Sequence, residues 1–262
     1  MSVWLRRRIL WAGSGLGLAV LLGRRAGAAA VEQSVKLPAG AHWVVRSQQA
    51  SVFYGIRFDE SQVRLGVIVQ NGPAQTAKKL PELLRSAGAI AGCNGGYFNG
   101  RDFGVYGLQV SDGVAQGEVG EVSELEAALV MRDGKLNIER GPEFPKQGRV
   151  TQRVQCSPLL VWEGHPAFEG GPDEVALRRS FVATDEKGQW VMGCGTNLTL
   201  SGLAKSLAGG QVFTDLSIRT AMNLDGGPSS GAWSRDPQGN EHEFRAATVV
   251  QNLLALFEKE TN

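Results

Sequence analysis

The sequence predicts an α+β fold: a single domain with a large, mostly antiparallel or mixed β-sheet scaffold and a few helices. Three observations lead there. The 262 residues include 35 glycines and 10 prolines, a density of turn formers that favours many short strands. Apolar residues recur at the two-residue period of a half-buried strand, as in Val63, Leu65, Val67 and Val69. Long apolar stretches at helical period are few. With residues 1–30 set aside as an export segment, residues 31–262 suffice for one sizeable core.

The export segment comes first. Arg6-Arg7-Arg8 precedes an uncharged run, Ile9 to Gly23, rich in Leu, Ala and Gly. That is the layout of a secretory signal, and the run is shorter than the roughly 20 residues that cross a bilayer. Ala26-Gly27-Ala28 and Ala28-Ala29-Ala30 both offer cleavage sites, so the expected location is periplasmic or secreted. Arg24 and Arg25 beside the cleavage region leave an uncleaved tether as the alternative, the only membrane association expected. Arg6-Arg7 also fits a twin-arginine export signal.

Beyond the Val63–Val69 strand, Thr76 to Ser86 is expected to hold a short helix that Pro81 interrupts or initiates. Ala89-Ile90-Ala91 reads as a strand. Ala128–Arg132 and Lys135–Glu139 flank Asp133-Gly134, the strongest hairpin signal in the chain. A second hairpin runs from Ser180–Thr184 to Gln189–Met192. Leu200, Leu203, Ala204 and Leu207 form a helical stripe behind a Thr199 or Ser201 cap, stopped by Gly209-Gly210. Ala247–Val250 reads as a late strand.

The formal charge of +1 is spread along the chain, with no basic block after the export segment, so nucleic-acid binding has no electrostatic footprint. Cys93, Cys156 and Cys194 allow at most one intrachain bridge. Cys156 with Cys194 is the expected pair, and three buried thiols are the alternative. His42, His165 and His242 are isolated, and no Cys/His spacing suggests zinc.

Three segments carry candidate chemistry. In Asn94-Gly95-Gly96-Tyr97 the paired glycines after a strand would let the backbone approach a ligand, and Asn94 brings a donor and an acceptor. In Asn223-Leu224-Asp225-Gly226-Gly227-Pro228-Ser229-Ser230, Asp225 leaves a short strand into a turn whose amides and hydroxyls can face an anion. Trp233 follows closely. In Arg178-Arg179-Ser180 a guanidinium opens a strand, and its planar fork suits phosphate. A structural turn or a solvated edge strand is the ordinary reading of each alone.

Taken in chain order, Asn94-Gly95-Gly96-Tyr97-Phe98, Tyr106-Gly107-Leu108 with Asp112-Gly113, Arg179-Ser180-Phe181, the Leu200 to Leu207 helix and Asn223 to Ser230 together resemble the phosphodiester glycosidase family over residues 50 to 257. Pro228 and Ser230 stand where many relatives have a third Gly or a Thr. The resemblance implies an exported hydrolase that cleaves the glycosidic bond of a sugar-1-phosphodiester, in cell-envelope or extracellular glycoconjugates. It implies Asp225 as base or nucleophile, with Asn94 and Asn223 on sugar hydroxyls and Tyr97 or Trp233 stacked on the sugar. Arg179, Gly226, Gly227 and Ser229 would meet the phosphate, with Gly95, Gly96 and Ser230 also lining the site. No cofactor is expected, although Ca²⁺ or Mg²⁺ at Asp225 is an alternative. The competing classes are a non-catalytic carbohydrate or cell-wall binding module with the same pocket, and a structural envelope protein.

Overall fold

The computed structural model describes residues 32–119, 125–141 and 148–259. The expected export segment lies outside them. Three antiparallel sheets surround a shared core. The first has eight strands in the order Glu32–Lys36, His42–Gln48, Ser51–Asp59, Gln189–Leu198, Leu177–Thr184, Thr220–Leu224, Leu159–Trp162, His165–Pro166. A five-stranded sheet follows the order Val114–Gln116, Gln109–Ser111, Val150–Cys156, Ala127–Arg132, Lys135–Arg140. The other five-stranded sheet runs Glu241–Phe244, Ala232–Arg235, Ala91–Asn94, Asn252–Glu258, Val63–Val69. Only two α-helices occur among the described residues, α1 (Leu80–Ser86) and α2 (Leu200–Ala208), so the molecule is more β-rich than the α+β expectation.

Alternation along each strand explains the layers. Met222 and Leu224 join Leu129, Val154, Cys93 and Leu254 in the central core between the sheets. Their neighbour Ala221 faces the other way, with Phe181 and Phe213, against Leu203, Ala204 and Leu207 of α2. Leu253 and Ala255 turn outward beneath Leu80 and Leu84 of α1.

Both expected hairpins form. Arg132 pairs with Lys135 across Asp133-Gly134, whose φ values of 49° and 80° suit the tight primed turn. Thr199 caps α2 by accepting the Gly202 amide at 3.0 Å. The helix expected over Thr76–Ser86 is confined to α1, where Pro81 lies in the first turn and Ala74–Thr76 makes a separate 3₁₀ turn.

Two expectations are corrected. The late strand is Asn252–Glu258, not Ala247–Val250. Leu253 to Leu256 are buried on both faces, so the run is continuously apolar and shows no alternation. Cys156 and Cys194 do not pair: all three cysteines are free, buried thiols. Cys194 sits instead 3.4 Å from the Ser180 hydroxyl.

Candidate active site

The Thr220–Leu224 and Ala91–Asn94 strands belong to different sheets, yet they end side by side. Asp225 N–H donates to the Gly95 carbonyl at 3.0 Å, and Asn94 Nδ2 donates to the Asp225 carbonyl at 2.7 Å. The oxygen of the Asn94 amide accepts the Ser180 hydroxyl at 2.8 Å and the Gly231 amide at 3.2 Å. The Ser180 oxygen lies 2.9 Å from the Ser230 hydroxyl. Asn94, Ser180 and Ser230 are each 0% exposed. They knot three segments together, with their polar groups already partnered. Asn94 therefore holds the turn of Asp225 in place, correcting the expectation that it reaches a sugar hydroxyl.

The paired glycines after Asn94 have a similar internal reason. A Cβ on Gly95 would fall 1.9 Å from Asn252 Oδ1, and one on Gly96 would fall 2.7 Å from Val154 Cγ1. Asn252, 1% exposed, takes the Gly96 amide on Oδ1 at 2.7 Å, and its carbonyl takes the Gly95 amide at 3.0 Å. It is the chain's own packing that requires glycine here, not the approach of a ligand. Sequence reading missed Asn252, whose only signal was a polar Gln251-Asn252 pair opening an apolar run.

Asp225 is half-buried, at the exit of its strand. Burial pushes its carboxyl above the usual range and outweighs the stabilising bonds from the Ser229 hydroxyl and the Gly226 amide. Burial first, then nearby charge including that of Asp225, raises the Tyr97 phenol well above its ordinary value. Burial, with Asp225 adding to it, pushes the Cys156 thiol up to about 12. Tyr97 donates its hydroxyl to the Ser157 carbonyl at 2.6 Å, and Asn223 Nδ2 donates to the same carbonyl at 2.7 Å and to the Tyr97 oxygen at 3.1 Å. Asn223 Oδ1 is buried with no hydrogen-bond partner among the described residues. Leaving such an acceptor unpaired costs about 1–3 kcal/mol.

On the other side of Asp225 the chain opens. Gly227 has φ +59°, and a Cβ there would meet nothing within 4 Å. The turn Gly227–Ser229 closes with Ser229 N–H on the Gly226 carbonyl and Ser230 N–H on the Gly227 carbonyl, each at 3.2 Å. Arg179 donates through Nε to the Leu198 carbonyl at 3.2 Å and through Nη2 to the Val175 carbonyl at 3.1 Å. Those bonds leave Nη1 on the side of Gly226, 3.9 Å from where a Cβ of that residue would lie. Arg178 turns away, donating to the Arg245 carbonyl at 2.9 Å with its guanidinium 4.8 Å over the Phe244 ring.

Trp233 is not at the site. It is 0% exposed, packs with the apolar side chains beneath α1 and donates its indole N–H to Glu241 at 3.1 Å. Alternation decides this, because the adjacent Ala232 faces the central core. Among the described residues no three His, Cys, Asp or Glu side chains converge. A cation at Asp225 would have to draw its other oxygens from amides, hydroxyls and carbonyls.

The family model for phosphodiester glycosidase matches residues 87–257, which carry the Asn94 knot, Arg179 and the Asp225 turn. The chain belongs to the phosphodiester glycosidase family. No curated protein sequence matches it significantly. The family fold recurs in the catalytic domain of zebrafish N-acetylglucosamine-1-phosphodiester alpha-N-acetylglucosaminidase, auto-inhibited by its pro-peptide. The TM-score is 0.63 at 16% identity, over 88% of this chain and 82% of that one. A hypothetical protein from Synechocystis aligns with a TM-score of 0.57 at 15% identity, over 87% of this chain and 64% of its own.

Proposed function

We propose that this protein is an exported hydrolase that breaks the bond between a sugar and phosphate in a glycosyl phosphodiester of the cell envelope or surroundings. The observation that carries the reading is the pairing of one half-buried carboxylate, Asp225, with a turn that is open at Gly227 and that Arg179 approaches at Gly226. Ordinary glycosidases need two carboxyl groups, one of them to protonate a poor alkoxide leaving group. Here the leaving group is a phosphate monoester, whose second pKa is about 6 and which departs without a proton. It needs stabilisation of the second negative charge, a role for Arg179 Nη1 and the Gly227 amide.

In the reaction, water adds to the anomeric carbon while the bond from that carbon to the phosphate oxygen breaks, its electron pair leaving with the phosphate. As general base, Asp225 takes the proton from water; as nucleophile, it attacks first and water releases the sugar. Tyr97, half-buried and held by Asn223 Nδ2, lines the sugar side. Ser229 and the Gly226 amide hold the carboxylate. The fold and the family support this reading, and export rests on the residues 1–30 pattern alone.

A panel of glycosyl-1-phosphodiesters, assayed for release of reducing sugar, tests it. Turnover of at least one member is expected. Saturable binding with no turnover on the whole panel would make the protein a carbohydrate-binding module instead. Mass spectrometry of the protein from its host should find a mature N-terminus at Ala29 or Val31, and an intact Met1 or Ser2 on membranes would make the segment an anchor.

A further inference from the structure

A cleft of about 780 Å³ lies between the start of α1 and the segment Glu243–Val249. Its wall is bonded directly to the site. The amides of Ala247 and Thr248 both donate to the Pro228 carbonyl, at 2.8 and 3.2 Å, and a Cβ on Gly231 would lie 2.7 Å from that of Ala246. Asn223, Tyr97 and Asp225 are tied instead to Ser157 and Gly95, before the turn. Pro228, the residue after Gly227, thus ties the wall of the cleft to the turn on which the phosphodiester is seated, while the sugar-side groups are tied to other segments.

Two features of the lining decide what fits. Aliphatic surface comes from the half-buried Pro81, Ala246 and Val249 and the exposed Ala247. Charges of both signs line the cleft. Arg85 pairs with Glu241 at 2.9 Å and Arg245 with Glu243 at 3.6 Å, while Lys79 and Glu82 sit three residues apart on the same wall. A second phosphate or a carboxylate would meet the carboxylates of Glu82 and Glu243 as well as cations there.

We infer that this cleft holds the alcohol esterified to the phosphate, and that this alcohol is uncharged with an aliphatic or aromatic body. The inference rests on the phosphodiester reading for its setting, but its test does not require turnover. The probes are methyl phosphate and hexyl phosphate, the monoesters that would remain after the sugar leaves, with binding followed by calorimetry. Each methylene buried in the cleft strengthens binding, roughly fourfold when fully buried. Hexyl phosphate is therefore expected to bind at least about tenfold more tightly than methyl phosphate.

Ala247→Trp fills the cleft from an exposed position outside any strand and should erase that preference while leaving methyl phosphate binding unchanged. Thr248→Trp repeats the test from a second exposed position. Equal binding of the two phosphates by the wild type, or a chain-length preference that survives both substitutions, overturns the inference. A hexyl preference in a protein that hydrolyses no glycosyl phosphodiester would keep the cleft and sink the hydrolase reading.

Discussion

Two turns of this chain read alike and behave differently. Asn94-Gly95-Gly96 and Asp225-Gly226-Gly227 each follow a short buried strand with an amide or carboxylate side chain and paired glycines. In the first, the glycines are wedged against Asn252 and Val154, and the Asn94 amide is partnered inside the protein. In the second, Gly227 faces open space in the left-handed region, and the carboxylate is half-buried against its preference. One turn is a buttress and the other is the proposed site. The difference lies in what surrounds each, and the dipeptide itself does not encode it.

The largest expected effect falls on the second turn. Asp225→Asn keeps size but removes the charge and the base, so kcat should fall by about 10²-fold or more. The same substitution should stabilise the fold at neutral pH. The folded pKa of Asp225 is raised, so its ionised form is relatively disfavoured in the native state. Stability from this group is fully present below the unfolded value of about 3.9 and is lost as pH rises through the higher folded value. The thermal midpoint of the variant should exceed that of the wild type at pH 7, with the gap closing toward pH 3. The wild-type rate should fall on acidification at a pH above the ordinary carboxylate range. A variant that stays active, or is less stable at pH 7, would return Asp225 to the status of a turn residue.

Glycine replacement compares the two turns directly. Gly95→Ala drives a methyl into the buried Asn252 amide and unseats its bond to Gly96. Overpacking of about 1–3 kcal/mol adds to about 1–3 kcal/mol for the unpaired group. Gly227→Asn places a residue that tolerates the left-handed region into open space and should cost less than about 1 kcal/mol. Denaturant unfolding of both variants measures the contrast. If Gly227→Asn were the more damaging, the buttress and the site would have to exchange places.

Much of this was legible before the fold was known, and the failures have physical causes. The Asp133-Gly134 hairpin and the Thr199 cap are local devices whose chemistry sits in adjacent residues. The Asn252–Glu258 strand was hidden because burial on both faces erases alternation. Asn252 itself acts 156 residues away from Gly96, where no local pattern reports it. Motif order brought Asn94, Arg179 and Asp225 to one place, but only packing could separate the amide that holds the turn from groups that face outward. The place of Trp233 is hidden for the same reason, since proximity in sequence to Asp225 says nothing about the face of the strand.

Arg179 sharpens the comparison on the open side. Its Nε and Nη2 are anchored to backbone carbonyls, which a lysine cannot reproduce while also offering an N–H near Gly226. Arg179→Lys should lower kcat by about tenfold, a charge-assisted bond of about 1.5 kcal/mol, with KM little changed. Across aryl phosphodiesters of graded leaving-group acidity the loss should shrink as the leaving group improves. A raised KM with constant kcat throughout would make Arg179 a docking residue only.

The smallest effect on turnover is expected at Trp233, and it tests whether the buttress ends where the packing says it does. The indole lies beneath α1 with no exposed surface, and its polar contact is the bond to Glu241. Trp233→Phe keeps an aromatic ring in that space but removes the bond and leaves a void, a loss of about 1–3 kcal/mol in unfolding free energy. A sugar-stacking platform would respond differently, because swapping indole for a smaller ring changes the face offered to the sugar and raises KM. Unfolding curves and Michaelis constants measured on the same preparations separate the two: a lowered midpoint with unchanged KM keeps Trp233 in the buttress, and a KM raised severalfold at unchanged stability would move it into the site.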